Sequence, residues 1–172
     1  MFDLTQLRFE RLGPIVTRFG FSCGYVELER FLTEDALGFC SEKLATTYVC
    51  WSGAELVGYV TWVADCIRLD ETERKNFVER KTLLHEFPAM KIARLAVKSD
   101  CQGQGVGSLL IRVSLGHMLE WSRQFGCRFA TVDAKPEALR FYERHGFVKN
   151  LHKLEKSRHT VSMRFDLLHY AP

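Results

Sequence analysis

The run Gln102-Gly103-Gln104-Gly105-Val106-Gly107 constrains the fold more than any other stretch of this chain, because three alternating glycines stand between two segments of different periodicity. Before it, Met90 to Val97 is a continuous apolar and basic segment of strand character. After it, Val106, Leu109, Leu110, Val113, Met118, Trp121 and Phe125 recur at helical spacing, which predicts a long helix beginning near Gly105. A loop that cradles phosphates must bring its backbone close to the ligand and aim several amides inward, and glycine does both without a Cβ clash. The helix behind it adds its unpaired amides and the positive end of its dipole. Strand, glycine loop and helix together form an anion site, although a glycine triplet alone would also serve as a plain turn.

Two familiar phosphate loops do not fit. A Walker loop needs Gly-Lys-Ser or Gly-Lys-Thr, which is absent. A dinucleotide fingerprint places Gly-x-Gly-x-x-Gly after the first strand, whereas these glycines alternate and come late.

The remaining segments predict a sheet with helices. Gln6 to Leu12 alternates as a short strand, Cys23 to Phe39 carries apolar residues at helical spacing for one or two helices, and Thr46–Trp51 with Glu55–Val63 reads as a hairpin around Ser52-Gly53. Asp65 to Phe87 is charged and patchily apolar, an irregular or helical excursion. Phe129–Asp133 reads as a strand, Glu137–Arg144 as a short helix opened by Pro136 and ended by Gly146, and Phe147-Val148 and Thr160–Phe165 as closing strands. The order predicts an α/β architecture with a mixed, mostly antiparallel sheet of six to seven strands, helices on both faces and a single domain over residues 1–172.

Composition excludes several classes. Hydrophobic residues make up 47% of the 172, enough for a packed core, and 24 Lys and Arg against 21 Asp and Glu give a net charge of +3, far from a polycationic arm. No basic leader precedes an apolar run and no stretch approaches a bilayer span, so a soluble cytoplasmic protein is expected, with no membrane partner. The six cysteines are scattered without Cys-x-x-Cys, and the six histidines show no ligand spacing, so free thiols and no metal are expected.

Gln102-x-x-Gly105-x-Gly107, preceded by Arg94-Leu95-Ala96-Val97 and followed by Phe141-Tyr142-Glu143-Arg144-His145-Gly146-Phe147, resembles the GNAT superfamily of acetyl-CoA-dependent N-acetyltransferases in motif order and spacing. The resemblance implies that the strand ending at Val97 splays from its parallel neighbour. Backbone groups there, on Leu95, Ala96 and Val97, would meet the pantetheine arm. Gln102, Gly103, Gln104, Gly105, Val106, Gly107 and Ser108 would hold the pyrophosphate. It also implies that the Tyr142 hydroxyl protonates the departing coenzyme A sulfur and that the Val97 amide is the oxyanion donor; without those roles Tyr142 reads as a core aromatic beside Phe141 and Phe147. Many family members place a glutamate base on the central strand, and motif alignment puts Lys91 in that slot, with Arg94 further along.

The reading is therefore an acetyl-CoA-dependent transfer to a primary amine on a small-molecule or macromolecular acceptor. An alkyl ammonium, with a pKa near ~10.4, needs a base at neutral pH, whereas an α-amine titrating at roughly 7.7 to 8.0 is partly neutral already. The empty base slot tilts the acceptor toward the latter, although Glu27, Glu29 or Asp133 could act through water instead of serving as surface or capping residues. Phe21-Ser22-Cys23-Gly24-Tyr25-Val26-Glu27-Leu28, then Phe31-Leu32, Thr47-Tyr48-Val49 and Val132–Lys135, resemble GNAT toxins that acetylate aminoacyl-transfer RNA. That alternative implies a basic groove for transfer RNA, to which Lys91, Arg94, Lys98 and Arg140 would contribute, and leaves open an antitoxin partner and a homodimer. A non-enzymatic acetyl-CoA sensor or interaction domain is the remaining alternative; it would have no use for an acid at Tyr142.

Overall fold

The computed structural model describes residues 3–14, 20–75, 86–152 and 159–170. Its strands are β1 (Leu7–Arg11), β2 (Thr46–Ser52), β3 (Glu55–Ile67), β4 (Phe87–Val97), β5 (Phe129–Ala134), β6 (Val148–Lys149) and β7 (Val161–Asp166). They lie in one seven-stranded sheet in the order β1-β2-β3-β4-β5-β7-β6. Its helices are α1 (Val26–Arg30), a π-helical stretch (Phe31–Asp35), α2 (Ala36–Ser41), α3 (Glu71–Lys75), α4 (Val106–Ser122) and α5 (Leu139–Glu143), with short 3₁₀ turns at Leu4–Gln6, Ser99–Cys101, Pro136–Ala138 and Leu167–His169. This is the expected α/β class. The chain forms two compact units, Met1–Val63 with Ile92–Ser114 and Ala64–Lys91 with Leu115–Pro172.

In the first unit the predicted hairpin is present. β2 and β3 pair antiparallel with Ser52 opposite Glu55, and the register slips between Cys50 and Trp51. Thr47 and Thr61 face each other and are fully buried, and their hydroxyls satisfy one another at 2.8 Å. The predicted helix after Cys23 is a continuous run interrupted by one π turn. A π turn sets residues five apart on one face; accordingly the Ala36 amide bonds to the Phe31 carbonyl, and both side chains are buried with Leu32. Phe31 stacks on Tyr59 at 6.4 Å, Phe21 meets the same ring edge-on at 5.6 Å, and the Tyr59 hydroxyl donates to the Leu28 carbonyl at 2.8 Å. Leu12, Cys23, Val49, Trp51, Leu56 and Ala96 complete that core.

Helix α4 buries Val106, Leu110, Ile111, Ser114, Leu115 and Met118. This stripe is rotated from the predicted one: Leu109 and Val113 are half-buried, and Phe125 lies beyond the helix end, 55% exposed. The reason is the indole of Trp62, which donates to Ser114 Oγ at 2.9 Å while Ser114 donates to the Leu110 carbonyl at 2.7 Å, so a polar residue holds a core position.

In the second unit β5 pairs with β7 and β7 with β6, both antiparallel. Ile67, Leu69, Phe87, Ala89 and Phe129 form an apolar cluster. Of the Asp65–Phe87 excursion, β3 continues as far as Ile67 and β4 begins at Phe87, while α3 covers Glu71–Lys75; residues 76–85 lie outside the described residues. Glu73, on α3, is buried and accepts from Arg164 Nη1 at 2.5 Å and from the Leu151 amide at 3.1 Å. Arg164 also donates to Asn150 Oδ1 at 2.8 Å, and Asn150 to Ser162 Oγ at 2.8 Å, so α3, β7 and the chain after β6 share one buried polar network.

Candidate active site

The end of β4 and the glycine loop belong to the first unit. Ala96 is buried in the core, which leaves Leu95 and Val97, both half-buried, as the residues on the other face of the strand. After Val97 the Lys98 amide bonds to the Val57 carbonyl at 2.9 Å, and Ser99–Cys101 makes a 3₁₀ turn with Cys101 buried. Gly103 and Gly105 have φ of +72° and +90°, a region that side-chain-bearing residues rarely enter. The space where a Gly103 Cβ would project is open, so the loop presents bare backbone there.

Helix α4 starts at Val106, one residue past the predicted start. The Leu109 amide already bonds to the Gly105 carbonyl at 3.0 Å, so the amides of Val106, Gly107 and Ser108 precede the helix's own hydrogen-bond ladder. Its first turn carries no acidic residue to cancel the dipole. The Val106 side chain is fully buried in the core, so what it can offer a ligand is its amide. Together these features suit a pyrophosphate, and a Cβ at Gly103 or Gly105 would bring strain.

Side chains hold the loop in shape. Gln102 Nε2 donates to the Cys23 and Val97 carbonyls, both at 3.0 Å, and Gln104 Nε2 to the Asp100 carbonyl at 2.8 Å. The Lys98 ammonium pairs with Glu55 and, at 3.3 Å, with Asp100, which raises its pKa.

Tyr142 belongs to the second unit, on α5. It is buried, with its ring edge-on to Phe141 at 5.1 Å and to Phe147 at 5.6 Å. Burial pushes its phenol up to about 12, so at neutral pH it is a loaded proton donor. The predicted helix is shorter than expected: Pro136–Ala138 is a 3₁₀ turn, and α5 proper ends at Glu143, followed by Gly146 with φ +83°. His145 Nδ1 lies 2.7 Å from the Phe141 carbonyl, one turn back, and so carries the proton on that nitrogen.

Lys91, which motif alignment puts in the base slot, is held between Asp65 at 3.4 Å and Asp133 at 3.1 Å, and Thr131 Oγ1 donates to the same Asp65 oxygen at 2.6 Å. Partial burial pulls the ammonium's pKa down, but the two carboxylates outweigh it and the net shift is upward. Lys91 is therefore a cation and no base. This network was not foreseen, because its residues lie on three separate strands of the sequence.

The basic residues proposed for a groove are mostly committed elsewhere. Lys91 and Lys98 sit in ion pairs, Arg94 lies over the Phe31 ring at 5.2 Å and donates to the Ala93 carbonyl at 2.8 Å, and Arg140 is exposed on α5. Among the described residues no helix is long and apolar enough to cross a membrane.

A glycine loop feeding the bare N-terminus of a helix behind a core strand, in an α/β chain, suits the pyrophosphate of an acyl-coenzyme A. Residues 43–149, more than half of the chain, match the acetyltransferase (GNAT) domain family, and the chain belongs to that family of acetyl-CoA-dependent N-acetyltransferases. Among solved structures it is similar to a tyrosine-to-phenylalanine mutant of KacT, with 23% identity, a TM-score of 0.80, and 95% of this chain and 96% of that one covered. It is also similar to AtaT complexed with acetyl-methionyl-tRNAfMet, with 22% identity, a TM-score of 0.78, and 93% and 94% covered. AtaTR bound with acetyl-CoA matches at 22% identity and a TM-score of 0.76, with 96% of each chain covered. The fold and the acetyltransferase class expected from the motifs are thereby borne out.

Proposed function

We propose that this acetyltransferase transfers the acetyl group of acetyl-CoA to an α-amino group, and that the acceptor is the amino acid of an aminoacyl-transfer RNA. In this reading Leu95, Ala96 and Val97 offer backbone groups to the pantetheine arm, and Gln102 to Ser108 hold the pyrophosphate. The neutral amine attacks the thioester carbonyl, the Val97 amide meets the developing oxyanion, the C–S bond breaks, and the Tyr142 hydroxyl donates its proton to the leaving thiolate. The proton lost by the amine passes to water.

The observation that carries the choice of acceptor is Lys91. Motif alignment puts this cation in the base slot, and it occupies the two neighbouring carboxylates that could otherwise deprotonate an alkyl ammonium, an arrangement that favours an amine of low pKa. Likeness along nearly the whole chain to AtaT, whose complex contains acetyl-methionyl-tRNAfMet, supports the same acceptor class, and likeness to AtaT bound to the C-terminus of the antitoxin AtaR supports an antitoxin partner.

The test is acetylation with radiolabelled acetyl-CoA of three acceptors side by side: a charged transfer RNA pool, the same pool deacylated, and a panel of alkyl amines and lysine peptides. The expected result is label in the charged pool alone, released as an N-acetylated amino acid on mild alkaline hydrolysis. Faster labelling of lysine peptides would overturn the acceptor. Acetyl-CoA binding without transfer to any of the three would favour the sensor alternative.

A further inference from the structure

The donor loop does not stand alone on β4; it is tied to a second loop, residues 22–24, whose shape is set by one carboxylate. Glu29 Oε1 accepts from the Cys23 amide at 2.8 Å, from Ser22 Oγ at 3.0 Å and from the Gly24 amide at 3.1 Å. These hydrogen bonds, the Cys23 amide foremost, hold its pKa below the usual carboxylate value. The loop so shaped then offers two carbonyls to the donor site. Ser22 O receives the Ser99 amide at 2.9 Å and Ser99 Oγ at 3.2 Å, and Cys23 O receives Gln102 Nε2 at 3.0 Å. Gln102 is the first residue of the glycine loop, and its other amide proton goes to Val97 O, at the end of the coenzyme strand.

The carboxylate itself is firmly mounted. Glu29 lies in α1, whose Leu28 carbonyl takes the Tyr59 hydroxyl at 2.8 Å, and Tyr59 is clasped by Phe21, immediately before the loop, and by Phe31. Tyr25, which precedes α1, supplies no side-chain cap, so Glu29 does for the chain entering the helix what a capping side chain would do.

We infer that Glu29 is a positioning residue for acetyl-CoA: it fixes the 22–24 loop, which fixes Ser99 and Gln102 and so the geometry of the Gln102–Gly107 cradle. It never touches the donor. The inference rests on the reading of that cradle as the acetyl-CoA site, and it predicts a defect in donor binding that leaves the chemical step largely intact.

The experiment measures acetyl-CoA binding to the full chain by isothermal titration calorimetry, which needs no acceptor, for wild type, Glu29→Ala, Glu29→Gln and Glu34→Ala. Glu34 makes an exposed ion pair with Arg30 and serves as a control. Loss of three hydrogen bonds to one charged oxygen is expected to weaken binding about tenfold in Glu29→Ala, while Glu29→Gln, which keeps an acceptor oxygen, falls between. Glu34→Ala should match wild type. With an active acceptor, KM for acetyl-CoA should rise by a similar factor and kcat change less than about threefold. Binding within twofold of wild type in a folded Glu29→Ala, with kcat reduced or not, overturns the inference while leaving the donor site standing. Absence of acetyl-CoA binding in wild type overturns the donor site instead. Should Glu29→Ala not fold, Glu29→Gln decides alone: affinity equal to wild type refutes a charge-dependent brace.

Discussion

Gly58→Ala is the sharpest test of how the strand ending at Val97 is built. Gly58 lies in β3, and a Cβ there would sit 2.9 Å from the Ala96 carbonyl oxygen and 3.2 Å from Leu110 Cδ1. Its backbone dihedrals suit any residue, so the whole effect comes from space. Leu110 is fully buried and its methyl has little room to yield, and the carbonyl belongs to the strand that leads into the glycine loop. Relief requires β4 to shift by several tenths of an ångström at Ala96. Overpacking of this kind costs about 1–3 kcal/mol, and the lower chain entropy of alanine returns about 0.4–1 kcal/mol. The net loss of about 1–2 kcal/mol lowers Tm by about 2–8 °C in a chain of this size. Leu95 and Val97 move with Ala96, and misplacement on this scale lowers kcat/KM by about tenfold or more. Gly116→Ala is the counterpart: Gly116 lies inside α4 with no atom within 4 Å of its Cβ, so alanine there raises stability by about 0.5–1 kcal/mol. Differential scanning fluorimetry and acetyl-transfer kinetics on the two variants suffice. Equal stability and activity in Gly58→Ala, or a loss in Gly116→Ala as large, would refute the close approach.

Tyr142→Phe should lower kcat by about 10²- to 10⁴-fold while acetyl-CoA affinity, read by calorimetry, stays within about twofold. Because burial raises the Tyr142 phenol to about 12, the proton donor stays loaded across the working range, so kcat/KM for an α-amine should climb with acceptor deprotonation near pH ~8 and show no fall below pH ~10; a descending limb near neutrality would exclude Tyr142 as the acid. Arg164→Met strands the buried Glu73 carboxylate and should cost about 3–5 kcal/mol, measured by urea denaturation, whereas Arg164→Met with Glu73→Leu should recover much of it. A double variant less stable than either single one would show that the network, not the unpaired charge, sets the cost.

The glycine loop and the elements on either side of it are legible in the sequence because their signals are local. Alternating glycines, the strand before them and the helical period after them are contiguous, and backbone conformation at Gly103 and Gly105 follows from residue type. What escaped was non-local. Nothing near Ser114 in sequence says that an indole 52 residues away will make it a core residue, and the helix stripe was misjudged for that reason. The strand before the loop and the second strand of the hairpin extend beyond what the sequence pattern predicts, since Phe87 to Ala89 and Asp65 to Ile67 carry polar or proline neighbours that mask the pattern. Glu29 was visible only as one carboxylate among several; its role depends on the turn that Gly24, at φ +82°, lets residues 22–24 make beneath it.

Lys91 shows why a vacant position in a motif is weaker than its occupant's surroundings. From sequence, lysine in the base slot means that a carboxylate is missing. In the structure the same lysine is a fixed charge, since Asp65 and Asp133 hold it from two sides and Thr131 fixes Asp65 in turn. With Asp65 and Asp133 it makes a cluster of one positive and two negative charges, so its field does not exclude a second ammonium; what it does is occupy the carboxylates that could otherwise take the proton of an alkyl ammonium. A partly neutral α-amine has less need of such a proton acceptor. Lys91→Met should release both carboxylates, so activity toward lysine peptides should rise, by less than about tenfold, and stay far below that toward the charged transfer RNA pool. Equal use of both acceptors by Lys91→Met would mean that a released carboxylate suffices as a base, and that acceptor choice rests on this one lysine holding it.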